Sequence, residues 1–169
     1  MPSFAGWFLP YGKPLLVVTD EGDEEKIVRY LVRIGYDSFG GRLSGGMLSW
    51  YRAGEETITN GRLTAQDVCG VLDSGRSSLF LDVRSDEELE REGAFANALH
   101  IHLTQLPQRM GELPMDRPIY IFCASGLRST IAASLLQREG FNDVHVVLGG
   151  FTGWSSVTCP LQVPLPSSS

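Results

Sequence analysis

No stretch of this 169-residue chain is apolar for the roughly 20 residues a membrane span needs. Its longest apolar runs, Leu15–Val18 and Ile119–Phe122, are strand-sized. No basic segment precedes an apolar one, so a secretory leader is not expected. Basic residues are in deficit, 14 against 20 acids for a net charge of −6, which excludes the basic stripe of a nucleic-acid surface. Cysteines are few and odd in number, at 69, 123 and 159, and do not read as a disulfide framework. No Cys or His spacing suggests a zinc site, and the chain contains only three histidines. His100, His102 and His145 alternate along apolar segments, as packing or surface residues do. The setting this implies is the reducing cytoplasm. What remains is ordinary globular composition, 43% hydrophobic and 20% charged.

The chain repeats itself. Pro14-Leu-Leu-Val-Val-Thr19 resembles Pro118-Ile-Tyr-Ile-Phe-Cys123, each an apolar run closed by a polar break. A helical pattern follows both, with Ile27, Leu31 and Ile34 on one face in the first and Ile131 and Leu135 in the second. Each helix stops at a glycine followed by an aromatic, Gly35-Tyr36 and Gly140-Phe141, where glycine suits a left-handed cap. Gly45-Gly46 and Trp50 then answer Gly149-Gly150 and Trp154. Prolines, paired glycines and tryptophans share one offset, and the helix-ending glycines differ from it by a single residue.

The second copy has a preamble that the first lacks. Thr57-Ile-Thr59 reads as a short strand, and Thr64 with Asp67 as the capping box of a helix carrying Val68, Val71 and Leu72 inward. Cys69 lies on the same stripe and reads as core. Ser78–Val83 reads as a buried strand before an acidic helix, Asp86–Glu92. Ala98–Ile101 and Val144–Leu148 are further strands. Strands alternating with helices imply an α/β fold, a parallel sheet with helices on both faces. The expected division is a partial, degenerate unit over 1–54, a complete domain over 55–160 and a loose tail over 161–169. The partial unit leaves a strand edge open, which predicts a homodimer or another covering partner.

One segment carries chemistry. Cys123 ends a buried strand, and Ala124, Ser125, Gly126, Leu127, Arg128 and Ser129 lead into a helix. Ligands of open α/β sheets bind at the carboxyl ends of strands. A short loop entering a helix turns N–H groups toward such a ligand, and the helix dipole adds positive potential. A sulfur placed there is more reactive than that of a free cysteine. Gly126 permits a tight curl, Arg128 offers an oxyanion two donors, and Ser129 reads first as a helix cap and second as a hydroxyl donor. Asp82 and Arg84 read as a structural ion pair near the next strand end. In the first copy Thr19 stands where Cys123 stands in the second, among Asp20, Glu21, Asp23, Glu24 and Glu25, which would repel an anion. That copy reads as catalytically silent. Nothing in the sequence positions Cys159 to resolve an intermediate on Cys123.

Leu81-Asp-Val-Arg84 with Glu87 and Glu88, the loop Cys123–Ser129, and Leu148-Gly-Gly-Phe-Thr-Gly-Trp154 resemble three motifs of the rhodanese (sulfurtransferase) family, in the family's order. Gly93-Ala-Phe-Ala-Asn-Ala98 departs from the Gly-His-Ile-Pro-Gly-Ala that family often has, at a structural turn. The resemblance implies a Cys123 persulfide that takes sulfur from thiosulfate or a thiol persulfide and yields it to a thiol or cyanide, with no metal or organic cofactor. Residues 4–50 also resemble the inactive middle part of proteins that join a metallo-β-lactamase-like hydrolase to two rhodanese units, implying association with such a hydrolase domain. Two other readings stay open. One is a Cys-dependent phosphatase or arsenate reductase, whose loops commonly place one more residue between Cys and Arg. The other is a non-catalytic interaction module.

Overall fold

A computed structural model describes residues 2–95 and 97–154. The chain forms two compact units, which divide between Ile58 and Thr59. Among the described residues no helix is long and apolar enough to cross a membrane.

The first unit holds helix α1 (Pro2–Phe8), strand β1 (Leu15–Val17), helix α2 (Glu24–Arg33), strand β2 (Phe39–Arg42) and helix α3 (Gly46–Arg52). β1 and β2 pair in parallel. The second unit runs β3 (Gly61–Leu63), α4 (Ala65–Asp73), β4 (Leu79–Asp82), α5 (Asp86–Glu92), β5 (Leu99–His100), α6 (Leu106–Arg109), β6 (Ile119–Phe122), α7 (Leu127–Arg138), β7 (Val144–Val147) and α8 (Gly150–Trp154). Its sheet is parallel throughout, in the order β3-β7-β6-β4-β5. The expected strand at Thr57–Thr59 is displaced to Gly61–Leu63, directly before the capping box. Thr64 Oγ1 accepts from the Asp67 N–H while the Asp67 carboxylate accepts from the Thr64 N–H, so the helix start is fixed by two reciprocal bonds.

The sequence repeat is also a repeat of structure. β1–α2–β2–α3 follows the same course as β6–α7–β7–α8, and Leu15 pairs with Phe39 as Ile119 pairs with Val144. Gly45 and Gly46 have φ of 75° and 57°, Gly149 and Gly150 have 76° and 53°. Burial separates the copies. On one face of the large sheet Tyr120, Phe122, Val147 and Trp154 form a core with Ala65 and Val68 of α4 and with Phe95. Ile119 and Ile121 alternate with them along β6 and lie on the opposite face, where α7 packs. A fully buried aliphatic side chain contributes about 1.5–3 kcal/mol, so this two-faced core is the main source of stability. The first unit has no counterpart of α4 or Phe95 among its described residues. Leu16, Val18, Met47 and Trp50, which correspond to Tyr120, Phe122, Phe151 and Trp154, therefore line an apolar cavity of about 530 Å3, and Leu16 is 76% exposed.

Cys69 packs beside the core as its helical stripe predicts, but it is disulfide-bonded, which a count of three cysteines did not anticipate. Cys159 and the tail over 161–169 lie outside the described residues. The divergent turn after α5 is structural, as expected. Phe95 is buried with its ring 4.3 Å from that of Phe122, and Asn97 takes a left-handed φ of 64°.

Candidate active site

β4 leads outward to β5, whereas β6 leads back toward β7 and β3. The loops after β4 and β6 therefore leave in opposite directions and open a crevice at the carboxyl end of the sheet. Cys123 follows β6 there and Asp82 closes β4.

Cys123 is 1% exposed and its thiol is free of any disulfide. The Gly126 N–H donates to Cys123 Sγ at 2.9 Å. Gly126 is the residue before α7 and has φ of 102°, a region open to glycine and costly for other residues. The loop is clamped from outside by the start of α8. Phe151 N–H donates to the Cys123 carbonyl at 2.7 Å, and Thr152 N–H to the Ala124 carbonyl at 3.0 Å. With those carbonyls engaged by α8, the N–H groups of Ala124 and Ser125 have no acceptor among the described residues. Ala124 is half-buried, Ser125 and Leu127 are exposed, and Gly126 is buried.

Arg128 lies in the first turn of α7, and its fork is engaged. Its two terminal nitrogens donate to the two carboxylate oxygens of Glu88, both at 2.6 Å, with the side chains 14% and 17% exposed. The sequence reading offered these donors to a substrate oxyanion, whereas here a carboxylate of α5 takes them. Glu88 also accepts from the Ser85 N–H at 2.9 Å, closing the capping box of α5. The Arg128 guanidinium holds the Glu88 carboxyl down to about 2 against the opposing effect of burial, and the Ser85 bond helps. In turn Glu88 chiefly raises Arg128, with smaller contributions from the Cys123 and Asp82 charges. Sequence spacing did not announce the Glu88–Arg128 pair. The signal available was Ser85-x-x-Glu88, which orients this carboxylate at the start of its helix.

Ser129 does not cap α7, because the cap position belongs to Gly126 and carries no side-chain bond. Ser129 is the third residue of α7, fully buried, and its hydroxyl has no hydrogen-bond partner among the described residues. Thr130 makes the local bond instead, donating from Oγ1 to the Gly126 carbonyl at 3.0 Å.

Asp82 and Arg84 are buried together. Arg84 Nε lies 3.0 Å from both Asp82 oxygens, and its Nη2 donates to Asp82 at 2.7 Å and to the Gly93 carbonyl at 2.9 Å. Its remaining nitrogen reaches Glu92 at 3.3 Å, and the Phe151 ring lies 4.0 Å beneath the guanidinium. This side chain ties β4, α5, the following turn and α8 together, with every charge paired, as burial demands. The histidines serve locally. His100 Nε2 meets the Arg84 carbonyl, His102 meets Thr104, and His145 pairs with Asp143 and stacks on Tyr120. No cluster of metal-ligating side chains occurs among the described residues.

The rhodanese-like domain profile matches residues 64–157. The chain is 30% identical over 146 residues to the putative sulfur carrier protein YrkF of Bacillus subtilis, covering 83% of this chain and 78% of that one. It is 34% identical over 86 residues to a sulfurtransferase of Allochromatium vinosum, covering 51% and 79% respectively. Against a further Bacillus subtilis protein, YqhL, it is 37% identical over 79 residues and spans 62% of that protein's length. Among solved structures, a rhodanese-like domain protein from Staphylococcus aureus superposes with a TM-score of 0.53 at 29% identity, over 56% of this chain and 90% of that one.

Proposed function

The chain belongs to the rhodanese-like family, and on that footing we propose that it is a sulfurtransferase carrying sulfane sulfur as a persulfide on Cys123. The observation that carries this reading is the Gly126 N–H held 2.9 Å from Cys123 Sγ, beside further loop N–H groups that have no acceptor among the described residues. Such a cradle suits a sulfur that bears negative charge before and after transfer. Relatives named sulfurtransferases agree with it.

The Cys123 sulfur attacks the outer sulfur of thiosulfate or of a thiol persulfide. The donor's S–S bond breaks, sulfite or a thiolate departs, and Cys123 retains the transferred atom as a persulfide. An acceptor thiol or cyanide then attacks that outer sulfur, and Cys123 leaves as thiolate. Loop N–H groups hold the leaving anion and then the persulfide, within a field from Arg128 tempered by Glu88. The scheme needs no metal or organic cofactor.

Intact mass after brief exposure to thiosulfate, and separately to glutathione persulfide, tests the reading. One sulfur atom added to wild type, absent in Cys123→Ser and removable by cyanide, is the expected result. Absence of the adduct with both donors overturns it. So does phosphate-ester hydrolysis that depends on Cys123.

A further inference from the structure

Two guanidiniums are brought to the crevice by the strand and helix that build it, and both are already neutralised. Arg84 is enclosed by Asp82 and Glu92, and Arg128 has given both terminal nitrogens to Glu88. Glu92 is shared with Arg91 on the surface, so the three carboxylates leave neither Arg84 nor Arg128 an uncompensated charge. What remains for a bound anion is the set of loop N–H groups and the start of α7, equivalent to roughly half a unit of positive charge. An anion entering such a place loses water that no unpaired cation replaces, and the loss grows steeply with its charge.

Resting on the sulfurtransferase reading above, we propose that Glu88 determines donor specificity: by holding the Arg128 fork it sets the Cys123 cradle for a singly charged thiol persulfide and against the thiosulfate dianion. Glu88 makes no contact with the reacting sulfur and acts through Arg128. In the favoured reaction the Cys123 sulfur bonds to the terminal sulfur of RS–S−, and the RS–S bond breaks. RS− leaves and takes a proton from water, and Cys123 carries the persulfide. Nothing is oxidised or reduced overall. With thiosulfate the same steps release sulfite, from a reactant carrying one more negative charge.

The test compares kcat/KM for loading by the persulfide of 2-mercaptoethanol, a monoanion, and by thiosulfate, a dianion, in wild type, Glu88→Gln and Glu88→Asp. Wild type is expected to favour the persulfide by about tenfold or more. Glu88→Gln, which frees the guanidinium, raises the thiosulfate value by about tenfold and narrows the ratio, and the pH profile of thiosulfate loading shifts with it. Glu88→Asp, which keeps the charge, restores the wild-type preference. A wild type that loads from thiosulfate as well as from the persulfide overturns the proposal. Equal losses with both donors in Glu88→Gln, the mark of a purely structural residue, overturn it as well. Should Glu88→Gln not fold, salt dependence in wild type decides. A rate from thiosulfate that is flat with ionic strength supports a neutral cradle, and a steep fall with salt refutes it. Failure of the underlying reading has a different mark, since neither donor then adds sulfur to wild-type Cys123.

Discussion

Gly150 has no room for a side chain because the carbonyl oxygen of Cys123 occupies the place where its Cβ would stand. The carbonyl carbon of Ala124 would lie 2.7 Å from the same atom. This contact brings the start of α8 against the loop, so that Phe151 and Thr152 N–H groups turn the Cys123 and Ala124 carbonyls outward. The first unit repeats the approach, with a Cβ on Gly46 falling 2.6 Å from the Thr19 carbonyl oxygen. Backbone packing of the loop thus persists in the copy that has no cysteine.

Gly150→Ala is therefore expected to push the loop out of place. Strain of this kind costs about 1–3 kcal/mol, and the Cys123 loading rate should fall by more than the melting temperature suggests. Gly70→Ala is the control of opposite sign. That glycine lies inside α4 with open space around its Cα, and alanine there should stabilise by up to about 1 kcal/mol. Thermal unfolding and loading rates of the two variants check both expectations.

Gly126→Ala acts through the backbone. A Cβ there would make only ordinary contacts, none closer than 3.7 Å, but φ of 102° is hostile to alanine. The expected outcome is a loss of about 1–2 kcal/mol, together with weaker persulfide retention as the Gly126 N–H turns from Sγ. The decay rate of the loaded form, compared with wild type, reads this directly.

Acid should weaken the site in a defined window. Glu88 titrates at about 2 in the folded chain against 4.5 as its ordinary value, with Arg128 the principal cause. A lowered carboxylate stabilises the fold fully above its unfolded value, and the contribution fades as pH falls from 4.5 toward 2. Its size is about 3 kcal/mol. Denaturant midpoints measured between neutral pH and about pH 3 should decline in wild type. In Glu88→Gln, that part of the slope should vanish from a stability already reduced at neutral pH.

Arg84→Ala should be the most damaging change in the domain. It strands Asp82, 1% exposed, without its cation, and such losses run to about 3–5 kcal/mol. Adding Asp82→Ala removes the stranded charge, so the double variant should cost clearly less than the two single changes together. A double-mutant cycle by chemical unfolding measures the coupling.

Much of this architecture was legible before any coordinates. Apolar runs located β4, β6 and β7, because strands buried on both faces must be apolar throughout. The Thr64 box located the start of α4, because its bonds join residues three apart. The placing of β3 at Thr57–Thr59 failed, since three residues on a sheet edge carry little pattern of their own. Ser129 was misassigned as a cap because the left-handed Gly126 already ends the loop. The loop at Cys123 was legible because strand, cysteine, glycine and helix are consecutive.

The sequence by itself determined the order of elements, the two copies of the β–α–β–α course and the place of the Cys123 loop between a strand and a helix. These follow from local rules of periodicity, capping and backbone freedom. Only the tertiary structure decided that the Arg128 fork belongs to Glu88, that Arg84 is enclosed by Asp82 and Glu92, and that Gly150 clamps Cys123. Each joins segments separated along the chain, and the charge a substrate meets is the sum over those segments after folding has paired them.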